Sequence, residues 1–233
     1  PLRGEGALFM WAIVPIKTFE MAKQRLANVL SASERKSLML AMARDVLTAL
    51  SRSKLLDNIL IVSRAPEADA LAQAFNTERF SETPSAGLAD ALEQATHHLV
   101  NNFNADGVFV VPADVPGVNA EELDTLISNH QAVTVIPDAK KVGTNGLICS
   151  PPLAIPYIFD GQSFRPHVEA AFKRDITPVI VPNSCFSLDV DVPSDLTMFF
   201  ESAPHSQTGT FLSRSGIIDR LSEMEKNTME PKQ

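Results

Sequence analysis

Five short apolar runs punctuate the chain, at residues 11–15, 58–62, 107–111, 132–136 and 178–181. Most are continuous rather than alternating, the pattern expected of strands covered on both faces, as in a parallel sheet. Between them, apolar residues recur at helical spacing. Met39, Met42, Ala43, Val46, Leu47 and Leu50 form one stripe, and Ser31 with Glu34 predicts a capping box ahead of it. Residues 68–75 predict a second, shorter helix, and Leu88, Ala91, Leu92, Ala95 and Leu99 a third. Asn119 caps a fourth, with Glu122 at the matching offset and Leu123, Leu126 and Ile127 as its apolar face. Val168, Ala171 and Phe172 predict a fifth after Pro166. Strand and helix alternate, so the class is α/β with a mostly parallel central sheet and helices on both faces.

This alternation occupies residues 10–202 and reads as one domain. Residues 1–9 read as an extension or tag remnant. Residues 203–233 turn rich in Ser, Thr, Lys and Glu, with one apolar patch at 216–221, and predict a polar tail that is loosely helical or partly disordered. With 233 residues, 45% of them hydrophobic, the chain can bury a proper core without metal or disulfide staples. Cys149 and Cys185 lie far apart and predict two buried or partly buried thiols in a reducing cytoplasm. No apolar run approaches the roughly 20 residues that span a bilayer. The formal net charge of −8 argues against general nucleic-acid binding, but not against one small anion held by local cations.

In open α/β sheets ligands sit outside the carboxyl ends of the strands. Asp114 follows the run at 107–111 and is stiffened by Pro116; a turn aspartate is the competing reading. In SLDVDVPSDL, residues 187–196, Asp189 and Asp191 alternate along an extended segment and so share a face. Two such carboxylates repel unless a cation screens them, and a hard divalent ion prefers oxygen ligands of this kind. Pro193 and Asp195 read as a helix start. The loop at 143–146, Gly-Thr-Asn-Gly, either offers backbone N–H groups to an anion or is a plain hairpin turn. In residues 158–167, IFDGQSFRPH, Gly161, Ser163 and the amides near the next helix could hold a phosphate or carboxylate, with charge added by Arg165 and His167. Lys17, Lys23 and Arg25 cluster after the first strand of an acidic chain, and Lys17 follows the strand where a nucleotide's phosphates would lie. No histidine pairs with a Cys or Ser in a nucleophile arrangement, and no G-x-G-x-x-G follows the first strand, which sets aside a dinucleotide oxidoreductase.

Taken in order, PxK…AKxRL, ADxP, GTNGL, F-x-x-x-SF with a following His, and DxDxPxDL resemble the 2-phospho-L-lactate guanylyltransferase family (CofC, FbiD). The resemblance runs from about Met10 to Glu201. It implies a single-domain, Rossmann-like nucleotidyltransferase fold of the GT-A-like kind. It also implies transfer of GMP from GTP to the phosphate of 2-phospho-L-lactate, phosphoenolpyruvate or 3-phospho-D-glycerate in coenzyme F-420 biosynthesis. On this resemblance the acceptor lies on Thr144, Asn145, the Asp160–Gly161 turn, Ser163 and His167. The nucleotide lies on Lys17, Lys23, Arg25, Gly87 and Asp90, with Asp114, Lys17, Lys23 and Arg25 catalytic. Mg2+ (or Mn2+) lies on Asp114, Asp189 and Asp191. A homodimer, and the downstream transferase that consumes the GDP-linked product, are the implied protein partners.

Two positions depart from the family pattern. Asp160 stands where relatives commonly carry glycine, so either it points away and Gly161 supplies the amide, or the acceptor differs. GLAD at 87–90 replaces GLN, putting Ala89 in place of Asn, with Asp90 as a stand-in. Molybdenum-cofactor and sugar-phosphate nucleotidyltransferases usually open with a Gly-rich loop, and positions 15–25 contain no glycine. A non-catalytic nucleotide-binding module is the other alternative, and it has little need of the Asp189/Asp191 pair.

Overall fold

The computed structural model describes residues 8–16 and 23–229, with side chains to residue 224. Among the described residues seven strands form one sheet: β1 (Met10–Pro15), β2 (Asn58–Val62), β3 (Glu78–Phe80), β4 (Gly107–Val110), β5 (Val133–Pro137), β6 (Thr144–Cys149) and β7 (Val179–Ile180). They lie in the order β3-β2-β1-β4-β6-β5-β7. All pairings are parallel except those of β6, which runs antiparallel to both β4 and β5. The order reverses beside β1, a switch point of the kind at which such sheets bind ligands.

Both sheet faces are covered, which is why the strands read as unbroken apolar runs. Along β1, Met10, Ala12 and Val14 enter one core cluster while Trp11 and Ile13 enter the other. The first cluster is closed by α1 (Ala32–Arg52), α2 (Glu67–Phe75), α4 (Ala120–Ser128) and α6 (Pro193–Ser202). The second is closed by α3 (Leu88–Phe103) and α5 (Phe164–Phe172). The expected α1 stripe is buried in full. Its capping box is formed: Glu34 N–H donates to Ser31 Oγ at 3.2 Å, and Ser31 N–H to Glu34 Oε2 at 2.8 Å. Such a cap stabilises a helix by about 1 kcal/mol.

Four features differ from the sequence expectation. The short edge strand β3 reads Glu-Arg-Phe, with no apolar run to signal it. The stretch 143–146, expected as a loop, enters β6 at Thr144. Gly146 is needed there, because a Cβ would meet Ile136 Cδ1 at 2.8 Å and the Phe186 ring at 3.3 Å. Helix α5 begins before Pro166, whose missing N–H is harmless in a first turn, and Phe172, expected on its apolar face, is exposed. The residues expected as a loose tail form α7 (Gln207–Arg214) and α8 (Ile217–Met229). Leu212, Ile217 and Leu221 are buried in the α1-side core. Asp45 on α1 accepts the N–H groups of Gln207 and Thr208 at 2.9 and 2.8 Å, satisfying orphan donors at the α7 start. No helix among the described residues is long and apolar enough to cross a membrane.

Candidate active site

The carboxyl ends of β1 and β4 open onto a cleft of about 430 Å³. Because β6 is antiparallel, its first residues reach the same edge: Val110 pairs with Leu147, and Thr144 with Pro137 across a bulge. Pro15, Pro112, Ala113, Asp114, Gly143, Thr144 and Asn145 therefore line the cleft, together with Phe159, Gly161 and Ser163. A second depression, about 550 Å³ over α7, has no carboxylate among its lining residues.

Asp114, Asp189 and Asp191 all line the cleft. Val190 N–H donates to the Asp114 carbonyl at 3.0 Å, which ties the two loops together. The segment carrying Asp189 and Asp191 is irregular rather than a strand. What fixes Asp191 is Asp195, whose Oδ2 accepts both the Asp191 and Val192 N–H groups at 2.8 Å as α6 starts. Asp189 is held by Asn145, whose Nδ2 donates to Asp189 Oδ1 at 3.2 Å and to the Phe186 carbonyl at 2.7 Å. Burial, then the charges of Asp114 and Asp191, push the Asp189 carboxyl above its ordinary pKa, against the Asn145 bond. Three mutually repelling carboxylates call for a cation.

The described structure supplies one from the chain itself. Lys23 Nζ lies 2.8 Å from Asp114 Oδ2 and 2.7 Å from Asp191 Oδ1, with its side chain only 5% exposed. Burial alone would lower its pKa. The charges and hydrogen bonds of Asp114 and Asp191 together outweigh that, and the ammonium is held above its ordinary value. Lys23 sits at φ 53°, ψ 44° ahead of the 3-10 turn Gln24–Leu26, which the buried Leu26 anchors. Arg25, 75% exposed, reaches Asp191 Oδ2 at 3.4 Å. So Lys23, expected to face phosphates, here bridges two carboxylates expected as metal ligands. Lys17 lies outside the described residues.

Not all of the residues expected to hold an acceptor line the cleft. Thr144, Asn145, Gly161 and Ser163 line the cleft, and Gly161 adopts φ 89°, a conformation that favours glycine. Ser163 Oγ makes no side-chain hydrogen bond among the described residues, so it caps nothing. Asp160 does not line the cleft. It is exposed, and its Oδ1 accepts Gln162 N–H at 3.0 Å, closing a local turn. The Asp160 carboxylate is thus absent from the cleft lining, and Gly161 is the member of that turn that lines it. His167 is also not a wall residue: it is fully buried, and burial pushes its pKa down to about 4, so it adds no charge. The backbone amides of Val142 and Gly143 are taken by Asp138 Oδ1 and Oδ2 at 2.8 and 3.0 Å, the hairpin-turn alternative. Gly87 and Asp90 lie at the start of α3, but Leu88 and Leu92 line the cleft in their place.

Sequence reasoning passed over Asp138, which lines the cleft. It follows β5 just as Asp114 follows β4, so the same strand-end rule would have found it. Among the described residues no group of three or more His, Cys, Asp or Glu side chains is arranged to hold a metal ion. The donor chemistry nonetheless suits a hard divalent cation, because all three carboxylates face one cleft and Lys23 already marks where positive charge is required.

Comparison with known proteins gives the family. The family model described as "Guanylyl transferase CofC like" matches residues 10–230. A phosphoenolpyruvate guanylyltransferase of Conexibacter woesei is 31% identical over 215 residues, covering 91% of this chain and 96% of the relative. A 2-phospho-L-lactate guanylyltransferase of Methanobrevibacter smithii is 29% identical over 209 residues, 89% of this chain and 91% of the relative. A 3-phospho-D-glycerate guanylyltransferase of Colwellia psychrerythraea is 28% identical over 188 residues, 80% and 89% respectively. The crystal structure of a putative nucleotide-diphospho-sugar transferase from Desulfovibrio desulfuricans superposes with a TM-score of 0.76 at 17% identity, over 93% of this chain and 98% of that one, and shares the fold. The family match spans every described strand and the cleft that they build, and the chain belongs to the CofC-like guanylyl transferase family.

Proposed function

We propose that this chain transfers GMP from GTP to the phosphate of a small phosphorylated carboxylic acid, releasing pyrophosphate, as a cytoplasmic step in coenzyme F-420 biosynthesis. Phosphoenolpyruvate, 2-phospho-L-lactate and 3-phospho-D-glycerate are the candidate acceptors, following the names of its relatives. The observation that carries this reading is the cleft itself. Four carboxylates, Asp114, Asp138, Asp189 and Asp191, and Lys23 face a pocket of hydroxyls and glycine backbone, with no side-chain nucleophile required. The reacting groups are all anionic, so catalysis depends on positioning and charge neutralisation. An acceptor phosphate oxygen forms the new bond to the α-phosphorus of GTP, the bond to the β-phosphate bridge breaks, and pyrophosphate leaves.

Thr144, Gly161 and Ser163 are assigned to the acceptor, Lys17 and Arg25 to the triphosphate, and Lys23 to charge neutralisation at Asp114 and Asp191. The start of α3, with Gly87 and Asp90 beside Leu88, is assigned to the guanine nucleotide. Asp114, Asp189 and Asp191 would hold Mg2+ or Mn2+, which when bound would neutralise phosphate charge. Asn145 holds the Asp189 carboxylate in place and is reassigned from substrate contact to support. Incubating the protein with GTP, Mg2+ and each acceptor separately should give a GDP-linked product by mass spectrometry with at least one of them. Tight GTP binding with no product from any acceptor would favour the non-catalytic module. A homodimer and a downstream transferase as partners remain part of this reading.

A further inference from the structure

His167 lies wholly inside the protein, yet both ring nitrogens are engaged by elements that form the cleft. Ile158 N–H donates to Nε2 at 2.9 Å. A backbone amide can only donate, so Nε2 carries no proton and the neutral ring keeps its hydrogen on Nδ1. Nδ1 lies 2.9 Å from Thr144 Oγ1, so the ring donates to the threonine oxygen. The Thr144 hydroxyl thus already accepts one hydrogen bond, and among the described residues no protein acceptor takes its own proton. Thr144 lines the cleft. The His167 ring also meets that of Phe159 in a T-shaped contact, centroid to centroid 5.0 Å, on the loop that leads to Gly161 and Ser163.

We propose that His167 is a positioning residue for the acceptor. It leaves the Thr144 proton available to the cleft and anchors the Ile158–Phe159 backbone that presents Gly161 and Ser163. The hydroxyl carries one proton and two lone pairs; because His167 donates to one lone pair, the proton is not spent on the ring and is left for the cleft. An available donor there suits an anionic oxygen, the phosphate or carboxylate of the acceptor. This role rests on the acceptor binding beside Thr144, as assigned above.

The test uses full-length protein and phosphoenolpyruvate, phospholactate and phosphoglycerate as probes. In His167→Gln the amide can reach the Nε2 position and keep Ile158, but leaves Thr144 undirected. In His167→Asn the amide reaches the Nδ1 position and restores the donor to Thr144. His167→Gln should raise KM for the acceptor about tenfold, the scale of one hydrogen bond to a charged group, while KM for GTP stays within about twofold; His167→Asn should recover most of the loss. Thr144→Val should raise the acceptor KM similarly, and the double variant should be no worse than the poorer single one. Equal shifts in both KM values, or additive effects of the two substitutions, would overturn the role. Independently of activity, 15N NMR of the imidazole in the wild-type protein should show the Nδ1–H tautomer at neutral pH. An Nε2–H tautomer or a charged ring would also overturn it. Absence of transfer to all three acceptors would remove the functional reading instead, and the tautomer would still decide whether His167 directs Thr144.

Discussion

Lys23→Met removes the ammonium that bridges Asp114 and Asp191 while keeping an unbranched side chain of comparable length. Two charge-assisted bonds at 2.8 and 2.7 Å disappear, and bonds to charged groups contribute about 1.5–3 kcal/mol each. The gross loss is offset because the buried ammonium no longer has to be desolvated, a penalty of several kcal/mol. Removing one partner of a fully buried pair destabilises by about 3–5 kcal/mol. Here Asp114 and Asp191 keep 31% and 37% of their side-chain surface in water, so their bared charges are partly hydrated. A net loss of about 1–3 kcal/mol is expected at neutral pH. The sign with pH is clear: Lys23 is held above its ordinary pKa, so its contribution is complete below that value and fades only as pH climbs through the raised one. The assay is urea unfolding followed by circular dichroism, with and without millimolar Mg2+. If ammonium and metal compete for the same carboxylates, Mg2+ should stabilise Lys23→Met more than the wild type. Unchanged stability of the variant, or the same Mg2+ increment in both proteins, would refute the reasoning.

Asp189 carries the opposite strain. Its raised pKa means that the native state favours the protonated form, so the ionised carboxylate is a burden that grows as pH rises through its titration. Asp189→Asn should raise the thermal midpoint at neutral pH without metal, while losing transfer activity. Gly146→Ala should lose about 1–3 kcal/mol by the same measurement, because its Cβ overlaps Ile136 Cδ1 at 2.8 Å. His130, outside the cleft, is pushed by burial from 6.5 down to about 4. The unfolded chain binds its proton first, so stability falls as pH drops through that interval. His130→Gln should flatten the stability–pH profile there by about 1.4 kcal/mol per pH unit and leave turnover at neutral pH unaltered.

The fold was legible where its causes are local. The Ser31–Glu34 box, the Asn119 cap and the continuous apolar runs act within a few residues or on one face, and each appears as expected. Strand direction was not legible for β6, because an antiparallel reversal depends on the hairpin that Asp138 closes with Val142 and Gly143. The last two helices were obscured because their hold on the domain is a few residues, Leu212, Ile217, Leu221 and the contact to Asp45, within a polar sequence. At the site, strand-end position and alternation found Asp114, Asp189 and Asp191. They could not reveal that Lys23 meets Asp114 and Asp191 across 91 and 168 residues. Nor could they show that Asp160 turns outward and His167 inward, since both orientations depend on tertiary hydrogen bonds.

The most direct test follows the label in GTP. With GTP labelled at the α-phosphate and the three acceptors supplied in turn, the label should appear in a GDP-linked acid, and label at the γ-phosphate should leave as pyrophosphate. Transfer of the γ-label to the acceptor, or no transfer of the α-label to any of the three, would contradict guanylyl transfer by this cleft.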